Sequence, residues 1–262
     1  MSVPVVAQPY PTHRAICFNR PIVHPACPHM LSIILPTQNE MRSGLLESIL
    51  ACLVQVADAE IIVIDGGSDD GTLELLSKYE LKLITEPGTS RAAKLNAGIA
   101  AASGDMIFLH HPRSLVQPES FQQVANPGKN KSRVWGGLTH QFDHDHALLR
   151  FTSWYSNRIR CDRAGILYLD HCIFFDSEFK HEGLKIPDVD IFEDTELSKL
   201  LRRHSKPVRL PAVVRTSAIR FKRNGIYRQA LLNQWMKLAY YLNFSHDKMN
   251  RQYEKGLNLN KK

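Results

Sequence analysis

The sequence lacks the long apolar run that a membrane-spanning helix requires. Such a helix needs about 20 apolar residues, whereas the segments 31–35 (LSIIL) and 61–64 (IIVI) are only a few residues long. The segment before residue 31 also lacks the apolar core of a signal peptide. These absences predict a cytoplasmic protein, with peripheral contact at the inner face of a membrane left open.

Cysteine is scarce and follows no pattern. The chain has five cysteines, and no two of them form a C-x-x-C pair. This is typical of reduced thiols and argues against a disulfide framework or a cysteine-based zinc site. The segment 142–146 (FDHDH), with His110, His111 and His171, offers imidazole and carboxylate ligands for zinc instead. Because this set has no established ligand spacing, we interpret these histidines as solvated or core residues.

Acidic residues are fewer than basic ones. Lys and Arg number 33 against 26 Asp and Glu, which gives a formal net charge of +7. A surplus of this size fits a nucleic acid, an anionic membrane surface or a phosphorylated substrate. The basic segments 129–133 and 220–224 do not form the repeated aromatic stacking platforms of proteins that bind single strands. We therefore do not predict a nucleic-acid partner.

The two ends of the chain differ from the rest. Residues 1–30 contain six prolines and no helical or strand periodicity, which predicts a disordered or loosely draped extension. Met30 directly precedes the first predicted strand. It is either the true start or an ordinary residue of the extension, and the sequence leaves the two open. Residues 254–262 are predicted to be a flexible tail.

From residue 31 onward, short apolar segments alternate with segments of helical periodicity. Strands are predicted at 31–36, 60–67, 81–86 and 105–111. Helices are predicted between them, at 39–56, 71–79 and 91–102. This alternation predicts an α/β fold with a mostly parallel central sheet flanked by helices.

The second half of the chain is less regular. Its predicted elements are strands at 133–143 and 207–211, helices at 148–160 and 193–204, and a strand with a turn within 164–175. A long amphipathic helix at 226–242 carries four large apolar residues at helical spacing, namely Leu231, Trp235, Leu238 and Leu242. We predict that these residues pack the helix against the sheet domain. The alternative is docking on an anionic membrane surface, where the helix would meet a lipid-linked acceptor.

Polar clusters follow the predicted strands, at the edge where open parallel sheets bind ligands. They are residues 37–40 (TQNE), 65–70 (DGGSDD) and 110–111 (HH). Asp65, at a strand tip, can accept hydrogen bonds from a base or ribose, and Gly66 lets the backbone approach a ligand closely. The alternative is that Asp65 and Ser68 only cap the next helix. The pattern is not G-x-G-x-x-G, so the dinucleotide fingerprint is absent.

Charged residues open two of the predicted helices. Arg91 and Lys94 lie one turn apart near a helix N-terminus, where cations oppose the helix dipole. A bound diphosphate would explain this placement, and a pair of solvated surface cations is the alternative. Glu193 and Asp194 open another helix, where the dipole favours carboxylates. One of them can instead serve as a general base.

Taken in order, these motifs resemble those of a family-2 glycosyltransferase of the GT-A fold. The chain reads LSIILPTQNE, IIVIDGGSDDGT, SRAAKLNAG, GDMIFLH and FEDTELS. More narrowly, it resembles the bacterial subgroup labelled radical-SAM/selenodomain-associated transferase 2, with its motifs PxxNE, VDGGSxDGT, GRAxQMNxGA, FLHADT, GDQAIF and MEDxEL. The resemblance covers residues 31–253. It implies a nucleotide-binding half at 31–125 and an acceptor half, with the C-terminal helix, at 126–253.

The resemblance implies an inverting transfer of a sugar from a nucleotide-sugar donor to a hydroxyl acceptor. The residues matching the nucleotide pocket are Pro36, Asn39, Glu40 and Asp65, with Gly66 and Ser68 in the same motif as Asp65. Arg91 matches the arginine of the G-R-A motif, near the base or diphosphate. Asp194 matches the acidic base, with Glu193 as its neighbour. Asp170 matches the aspartate of G-D-Q, near the acceptor.

The sequence departs from the family at the metal-binding motif. GT-A enzymes usually hold a divalent metal, Mn or Mg, through the last Asp of a D-x-D after the fourth strand. This chain has Pro112 at that position, preceded by His110 and His111 and followed by Arg113. The proline has no side-chain ligand, so a metal would need the two histidines, which suit softer ions such as zinc.

Two predictions follow from this departure. Arg91, Lys94 and Arg113 are predicted to replace the metal at the diphosphate, because arginine grips phosphate through paired hydrogen bonds and lysine adds a point charge. The alternative function is a GT-A-like module that binds a nucleotide-sugar or a partner without turnover.

Overall fold

The computed structural model describes residues 30–127 and 133–254. The predicted extension and tail lie outside these residues, except for their border positions Met30 and Glu254, and so do Cys17 and Cys27.

Within the described residues, eight strands form one sheet. In chain order they are β1 (Leu31–Thr37), β2 (Ala59–Asp65), β3 (Lys82–Thr85), β4 (Met106–Leu109), β5 (Ser114–Val116), β6 (Trp135–Phe142), β7 (Ile173–Asp176) and β8 (Val208–Thr216). The α-helices are α1 (Leu46–Leu53), α2 (Thr72–Leu76), α3 (Arg91–Ala101), α4 (Phe121–Ala125), α5 (Ala147–Tyr155), α6 (Glu178–His181), α7 (Glu193–Arg202), α8 (Ile219–Asn224), α9 (Ile226–Tyr241) and α10 (His246–Glu254). Three 3-10 turns cover Glu40–Ser43, Pro118–Ser120 and Leu169–His171, and a π-helical segment, Ser156–Arg163, continues α5.

The sheet confirms the predicted α/β fold. Its strand order is β3-β2-β1-β4-β7-β6-β8-β5. The first four strands are mutually parallel, as the strand–helix alternation predicts. In the second half, β6 and β8 are parallel, whereas β7 runs antiparallel to both β4 and β6 and β5 runs antiparallel to β8. The carboxyl ends of β1, β2 and β4 thus meet at one edge.

The central strands are buried on both faces because helices cover each side. Ile33 of β1 belongs to the core cluster that includes α1, whereas Ile34 belongs to the cluster that includes α3. This is the alternation that a strand imposes on successive side chains. Gly98 allows α3 to approach the sheet closely, because a Cβ there would lie 2.4 Å from Ile34 Cγ2 and 2.7 Å from Ile64 Cδ1.

Three predicted elements differ from the structure. The helix expected at 39–56 is divided, because Gly44 takes a left-handed conformation (φ 66°) between the 3-10 turn and α1. The strand expected within 164–175 is confined to β7, after a left-handed Cys172. The strand expected at 207–211 continues to Thr216, since β8 pairs with β6 along its length.

The predicted packing of the long C-terminal helix is wrong. Its four large apolar residues are exposed: Leu231 (72%), Trp235 (42%), Leu238 (50%) and Leu242 (56%). The helix uses its opposite side, where Met236 and Ala239 pack with Met249 of α10 and with Ile191. Helix α9 therefore presents an apolar face to solvent.

Within the described ranges, α9 included, no helix combines the length and the hydropathy needed to cross a membrane.

Candidate active site

Asp65 organises the loop that follows β2. One of its carboxylate oxygens accepts hydrogen bonds from the backbone amides of Gly67 (2.9 Å) and Ser68 (2.7 Å). The other accepts from the hydroxyls of Thr37 (2.8 Å) and Ser68 (2.6 Å). The side chain is fully buried. These four hydrogen bonds hold the loop in its conformation. A nucleotide that bonded to the Asp65 carboxylate would have to replace one of them.

Asn39 connects that loop to the end of β1. Its backbone amide donates to Ser68 Oγ at 2.8 Å, and its side-chain oxygen accepts from the amide of Asp69 at 2.9 Å. Pro36 lies buried in β1, beside Ile64 of β2. These predicted nucleotide residues therefore form one connected structure at the edge of the sheet.

Glu40 and Lys94 lie at the same edge of the sheet, and the charge of each affects the pKa of the other. The carboxylate of Glu40 is buried 3.4 Å from Arg113 Nε, and burial raises its pKa against the lowering effects of Arg113 and Lys94. Burial lowers the pKa of Lys94 to about 8, although Asp65 and Glu40 act in the opposite direction. The Lys94 amino group donates to Gln38 Oε1 at 2.8 Å. A Cβ on Gly66 would come within 2.6 Å of this amino group, so a larger residue there would displace the Lys94 side chain.

A cavity of about 240 Å³ lies beside this edge, under α9 and α10. The predicted residues that line it are Arg91, His111, Arg113, Asp170 and Asp194. The other predicted residues do not line it; they are Pro36, Asn39, Glu40, Asp65, Gly66, Ser68, Lys94, His110 and Glu193. The cavity therefore joins the predicted base and acceptor-side residues with two of the predicted donor-side cations.

Asp194 lies buried in the first turn of α7, with both carboxylate oxygens held by the backbone. Oδ2 accepts from the amide of Leu169 at 2.9 Å, and Oδ1 accepts from the amide of Thr195 at 2.7 Å. Burial and the neighbouring Glu193 carboxylate raise the pKa of Asp194 to about 7, while Arg91 opposes the rise. A carboxyl group with this pKa can take up a proton near neutral pH, as a general base must.

The Glu193 side chain is also buried and bonds to Arg91. The Arg91 Nε atom donates to Glu193 Oε1, so the guanidinium is tied to the residue directly before the base. Burial alone would lower the pKa of Arg91, but the charges of Glu193 and Asp194 raise it above its usual value. Arg91 therefore stays a cation at the wall of the cavity.

Asp170 lies in the 3-10 turn at Leu169–His171, 3.5 Å from His140 Nε2. Its Oδ1 atom is buried with no hydrogen-bond partner in the described residues. Burial lowers the pKa of His140 against the opposing charge of Asp170. A hydroxyl group of a bound substrate could donate a hydrogen bond to this Oδ1 atom.

The residues at the usual metal position do not fit Mn or Mg. Pro112 offers no side-chain donor. His110 is buried, its Nδ1 lies 2.9 Å from the carbonyl of His111, and burial lowers its pKa to about 4. His111 Nδ1 is engaged with Ser114 Oγ at 2.9 Å. No group of three or more His, Cys, Asp or Glu side chains in the described chain is placed to hold a metal ion, and the oxygen ligands that Mn and Mg prefer are missing from the motif.

His171 has a structural role, which agrees with its interpretation as a core histidine. Its ring lies between Ser156 Oγ at 2.8 Å and the carbonyl of Leu138 at 3.0 Å. The side chain is fully buried, and burial lowers its pKa to about 4. Both ring nitrogens are occupied by protein partners.

Several residues that line the cavity were not predicted from the sequence. They are His140, Arg160, Tyr168, Arg220 and Lys237. All lie in the less regular second half, on β6, the π-helical segment, a loop, α8 and α9. Arg220 belongs to the basic segment 220–224 and Lys237 to the predicted helix at 226–242, but neither pattern indicates a cavity, and no motif marks the other three.

Comparison with known proteins identifies relatives at the family level. Residues 32–177 match the family described as glycosyl transferase family 2. Validoxylamine A glucosyltransferase of Streptomyces hygroscopicus subsp. limoneus is 29% identical over 157 residues, which is 51% of this chain and 34% of that protein. An uncharacterized glycosyltransferase of Mycobacterium tuberculosis is 38% identical over 84 residues, which is 29% of this chain and 32% of that protein. This chain spans about a third of the length of these curated relatives.

Solved structures share the fold. The mannosyltransferase PcManGT from Pyrobaculum calidifontis, in complex with GDP-Man and Mn2+, has a TM-score of 0.59 at 18% identity, covering 89% of this chain and 71% of that chain. The TarS fragment from S. aureus in complex with UDP-GlcNAc has a TM-score of 0.55 at 15% identity, covering 71% of this chain and 58% of that chain. Since the family match takes in more than half of the 262 residues, the chain belongs to glycosyl transferase family 2.

Proposed function

We propose that this glycosyltransferase moves a sugar from a nucleotide-sugar donor to a hydroxyl acceptor with inversion at the anomeric carbon. The observation that carries the proposal is Asp194, a buried carboxylate with a pKa near 7 at the wall of the cavity. Solved proteins of the same fold bind GDP-Man and UDP-GlcNAc, which supports a nucleotide-sugar as the donor.

In the proposed reaction the acceptor oxygen attacks the anomeric carbon as the bond from that carbon to the diphosphate breaks. The hydroxyl proton passes to Asp194, and the nucleoside diphosphate leaves with the bonding electrons. A single displacement of this kind inverts the anomeric centre. The backbone bonds from Leu169 and Thr195 support the role of Asp194, because they hold its carboxylate in one orientation.

The charge of the leaving diphosphate is proposed to be met by side chains of this protein. Arg91 and Arg113 line the cavity, and Lys94 lies at the adjoining edge of the sheet. A bound diphosphate would favour the charged form of Lys94, whose pKa is about 8 in its absence. Fixed cations at the point where charge develops stabilise a transition state. Donor binding is therefore proposed to be independent of a divalent metal.

A lipid-linked acceptor at an anionic membrane surface fits the exposed face of α9. Tyr227, Leu231 and Trp235 on this face are 69%, 72% and 42% exposed. Helix α5 extends the surface with Phe151 (57%) and Trp154 (50%), whose rings stack. Aromatic residues of this kind favour the membrane interface. Exposed basic residues on or next to the two helices are Arg150, Arg158, Lys222, Arg223 and Arg228, which complements an anionic membrane.

Helices α5 and α9 meet close to the cavity. The Lys237 amino group lies 5.5 Å from the centre of the Tyr155 ring, and the rings of His146 and Tyr227 are 5.9 Å apart. Tyr155 and Lys237 also line the cavity. A membrane bound to this face would therefore bring a lipid-linked hydroxyl toward Asp194.

The proposal is tested by screening the protein for thermal stabilisation and turnover with UDP, GDP and their sugars, with and without manganese. A ligand that binds only the folded state raises its stability, so stabilisation by one nucleotide supports donor binding. Release of the nucleotide or transfer of the sugar then establishes catalysis. Stabilisation without any turnover, over a panel of acceptors that includes lipid-linked ones, would support the binding module that the substitution at Pro112 favours.

A further inference from the structure

Arg160 and Lys237 are two cavity-lining cations, besides Arg220, that the proposed sugar transfer does not use. Arg160 lies on the π-helical segment after α5, and Lys237 lies on α9. The cations on the donor side, Arg91 and Arg113, lie beside carboxylates, those of Glu193 and Glu40. Within residues 30–127 and 133–254, neither Arg160 nor Lys237 forms such a pair.

Arg160 has an unused hydrogen-bond donor inside the protein. Its guanidinium carbon lies 3.2 Å from the centre of the Tyr168 ring, so the ring covers one face of the cation. The Nη1 atom is buried and has no hydrogen-bond partner in the described part of the chain. Buried polar groups of native proteins nearly always find a partner. The free donor therefore indicates a ligand that the cavity receives.

Lys237 lies close enough to Arg160 for the two positive charges to repel each other. Burial, and then the proximity of Arg160, lower the pKa of Lys237 to about 8, with only Asp170 acting in the opposite direction. Its amino group has a weak contact with Gln234 Oε1 at 3.5 Å and lies over the Tyr155 ring. Asp170 offsets only part of the repulsion between the two cations, and a bound anion would remove more of it.

These cations are also close to the proposed base. Tyr168, which covers Arg160, directly precedes Leu169, whose amide bonds to Asp194. Arg160 and Asp194 therefore contact successive residues of one short segment. A molecule anchored by an anionic group at Arg160 can present a neighbouring hydroxyl to Asp194.

We propose that Arg160 and Lys237 form an anion subsite, and that the acceptor is a hydroxyl compound carrying a phosphate group. The guanidinium supplies paired donors for two phosphate oxygens and the lysine adds a point charge. This inference rests on the proposed sugar transfer, since it assigns the acceptor of the same site. The phosphate belongs either to a lipid headgroup or to a free phosphorylated compound. Arg160 and Lys237 would bind the phosphate group in the same way in both.

The test measures the binding of a phosphorylated probe to the full chain while a nucleotide occupies the donor site. Glycerol 3-phosphate is titrated calorimetrically in the presence of saturating UDP or GDP, with glycerol as the uncharged comparison. Vesicles of phosphatidylcholine with and without phosphatidic acid form the lipid arm. Preference for glycerol 3-phosphate over glycerol identifies a free compound. Preference for phosphatidic acid vesicles that is lost in the Arg160→Gln variant identifies a lipid headgroup.

The variants are Arg160→Gln and Lys237→Gln, each expected to lower the affinity for the phosphorylated probe by about tenfold or more. Their affinity for UDP or GDP should stay unchanged. Arg163→Gln is the matched control, because Arg163 lies on the same segment but is exposed and does not line the cavity. It should change neither affinity. Lys237→Gln, on a separate helix, keeps the test available if Arg160→Gln fails to fold.

Two results would overturn the inference. One is unaltered probe affinity in the folded Arg160→Gln and Lys237→Gln variants. The other is the absence of any phosphate preference in both the soluble and the lipid arms while the nucleotide binds. Failure of the protein to bind any nucleotide would count instead against the proposed sugar transfer, so the two failures are distinguishable.

Discussion

The Arg91 guanidinium is hydrogen-bonded to Glu193, the residue directly before Asp194 in α7. One cation thus lies beside two adjacent buried carboxylates. Arg91 lowers the pKa of Asp194, whereas burial and Glu193 raise it, and the result is about 7. The pKa of Asp194 therefore depends on Glu193, its neighbour in the first turn of α7, and on Arg91, the first residue of α3.

Asp194→Asn should reduce turnover by about a hundredfold or more, because an amide cannot accept the proton of the acceptor hydroxyl. Nucleotide affinity should survive, since the substitution leaves the donor-side cations in place. Turnover and calorimetric binding measure the two effects. Asp145→Asn is the control, because Asp145 is exposed and pairs with Arg150 at the surface. Equal turnover in the Asp194 variant and the native protein would remove Asp194 from the mechanism.

Activity should rise as the pH increases from about 6 to about 8, because the base must be ionised and its pKa is about 7. Burial raises this pKa most, and the charged groups that act on it are Glu193, Arg91 and Asp170, together with the amide of Leu169. The measurement is kcat/KM across this range at constant ionic strength. A profile that is flat through neutrality would contradict the assignment of Asp194 as the titrating base.

The same ionisation should affect stability in the opposite direction. The folded pKa of Asp194 lies above its unfolded value, so the folded protein binds the proton more tightly and loses stability as the pH rises through about 7. Asp194→Asn removes this loss. The Tm difference between the variant and the native protein should therefore shift in favour of the variant from pH 5 to pH 8. A difference independent of pH would show that Asp194 keeps an ordinary pKa in the folded state.

Nucleotide binding should persist in EDTA, because the motif at Pro112 lacks the oxygen ligands of a divalent metal. Calorimetric titration with UDP and GDP, in EDTA and in manganese, checks this expectation. Arg91→Ala should weaken binding in both conditions, since it removes a cation proposed to face the diphosphate. Binding that requires manganese and disappears in EDTA would reject the replacement of the metal by side chains.

Helix α9 should bind anionic vesicles through its exposed face. Co-sedimentation should be greater with vesicles that contain phosphatidylglycerol than with phosphatidylcholine alone, and Leu231→Ser should reduce it. Leu83→Ser is the matched control, since Leu83 is also exposed (41%) but lies on β3. Equal sedimentation with both vesicle types would reject the membrane contact.

Gly98→Ala should destabilise the protein by about 1–3 kcal/mol, because its Cβ would overlap with Ile34 and Ile64. The free energy of unfolding in denaturant measures the effect. Ala100→Gly, at an exposed position of α3, isolates the contribution of helix propensity. A Gly98 variant as stable as the native protein would mean that the sheet and α3 can separate without cost.

The sequence predicted the first half of the fold well because local patterns determine it. Successive residues such as Ile33 and Ile34 face opposite helices, and this arrangement follows directly from strand geometry and helical periodicity. The family resemblance located Asp194, which then proved to lie at the cavity wall. The narrower subgroup stays a prediction.

The second half could not be predicted in the same way, because its site depends on contacts between distant segments. Periodicity identified α9 as amphipathic but did not say which side is covered. The side with Leu231 is exposed, and the side with Met236 is buried. Likewise, the Arg160 Nη1 atom has no hydrogen-bond partner among the described residues, and its guanidinium lies over the Tyr168 ring. Contacts between these two segments are not encoded by any local pattern.

The two amides that hold Asp194 have a consequence for how the site could change. Leu169 and Thr195 donate through their backbone amides, so neither bond depends on the identity of the Leu169 or Thr195 side chain. The Leu169 amide also lowers the pKa of Asp194, because it favours the ionised carboxylate, whereas burial and Glu193 raise that pKa. The groups that orient the carboxylate are thus ones that side-chain substitutions leave in place. Substitutions around the base can shift the working pH of the protein while its carboxylate keeps pointing in the same direction.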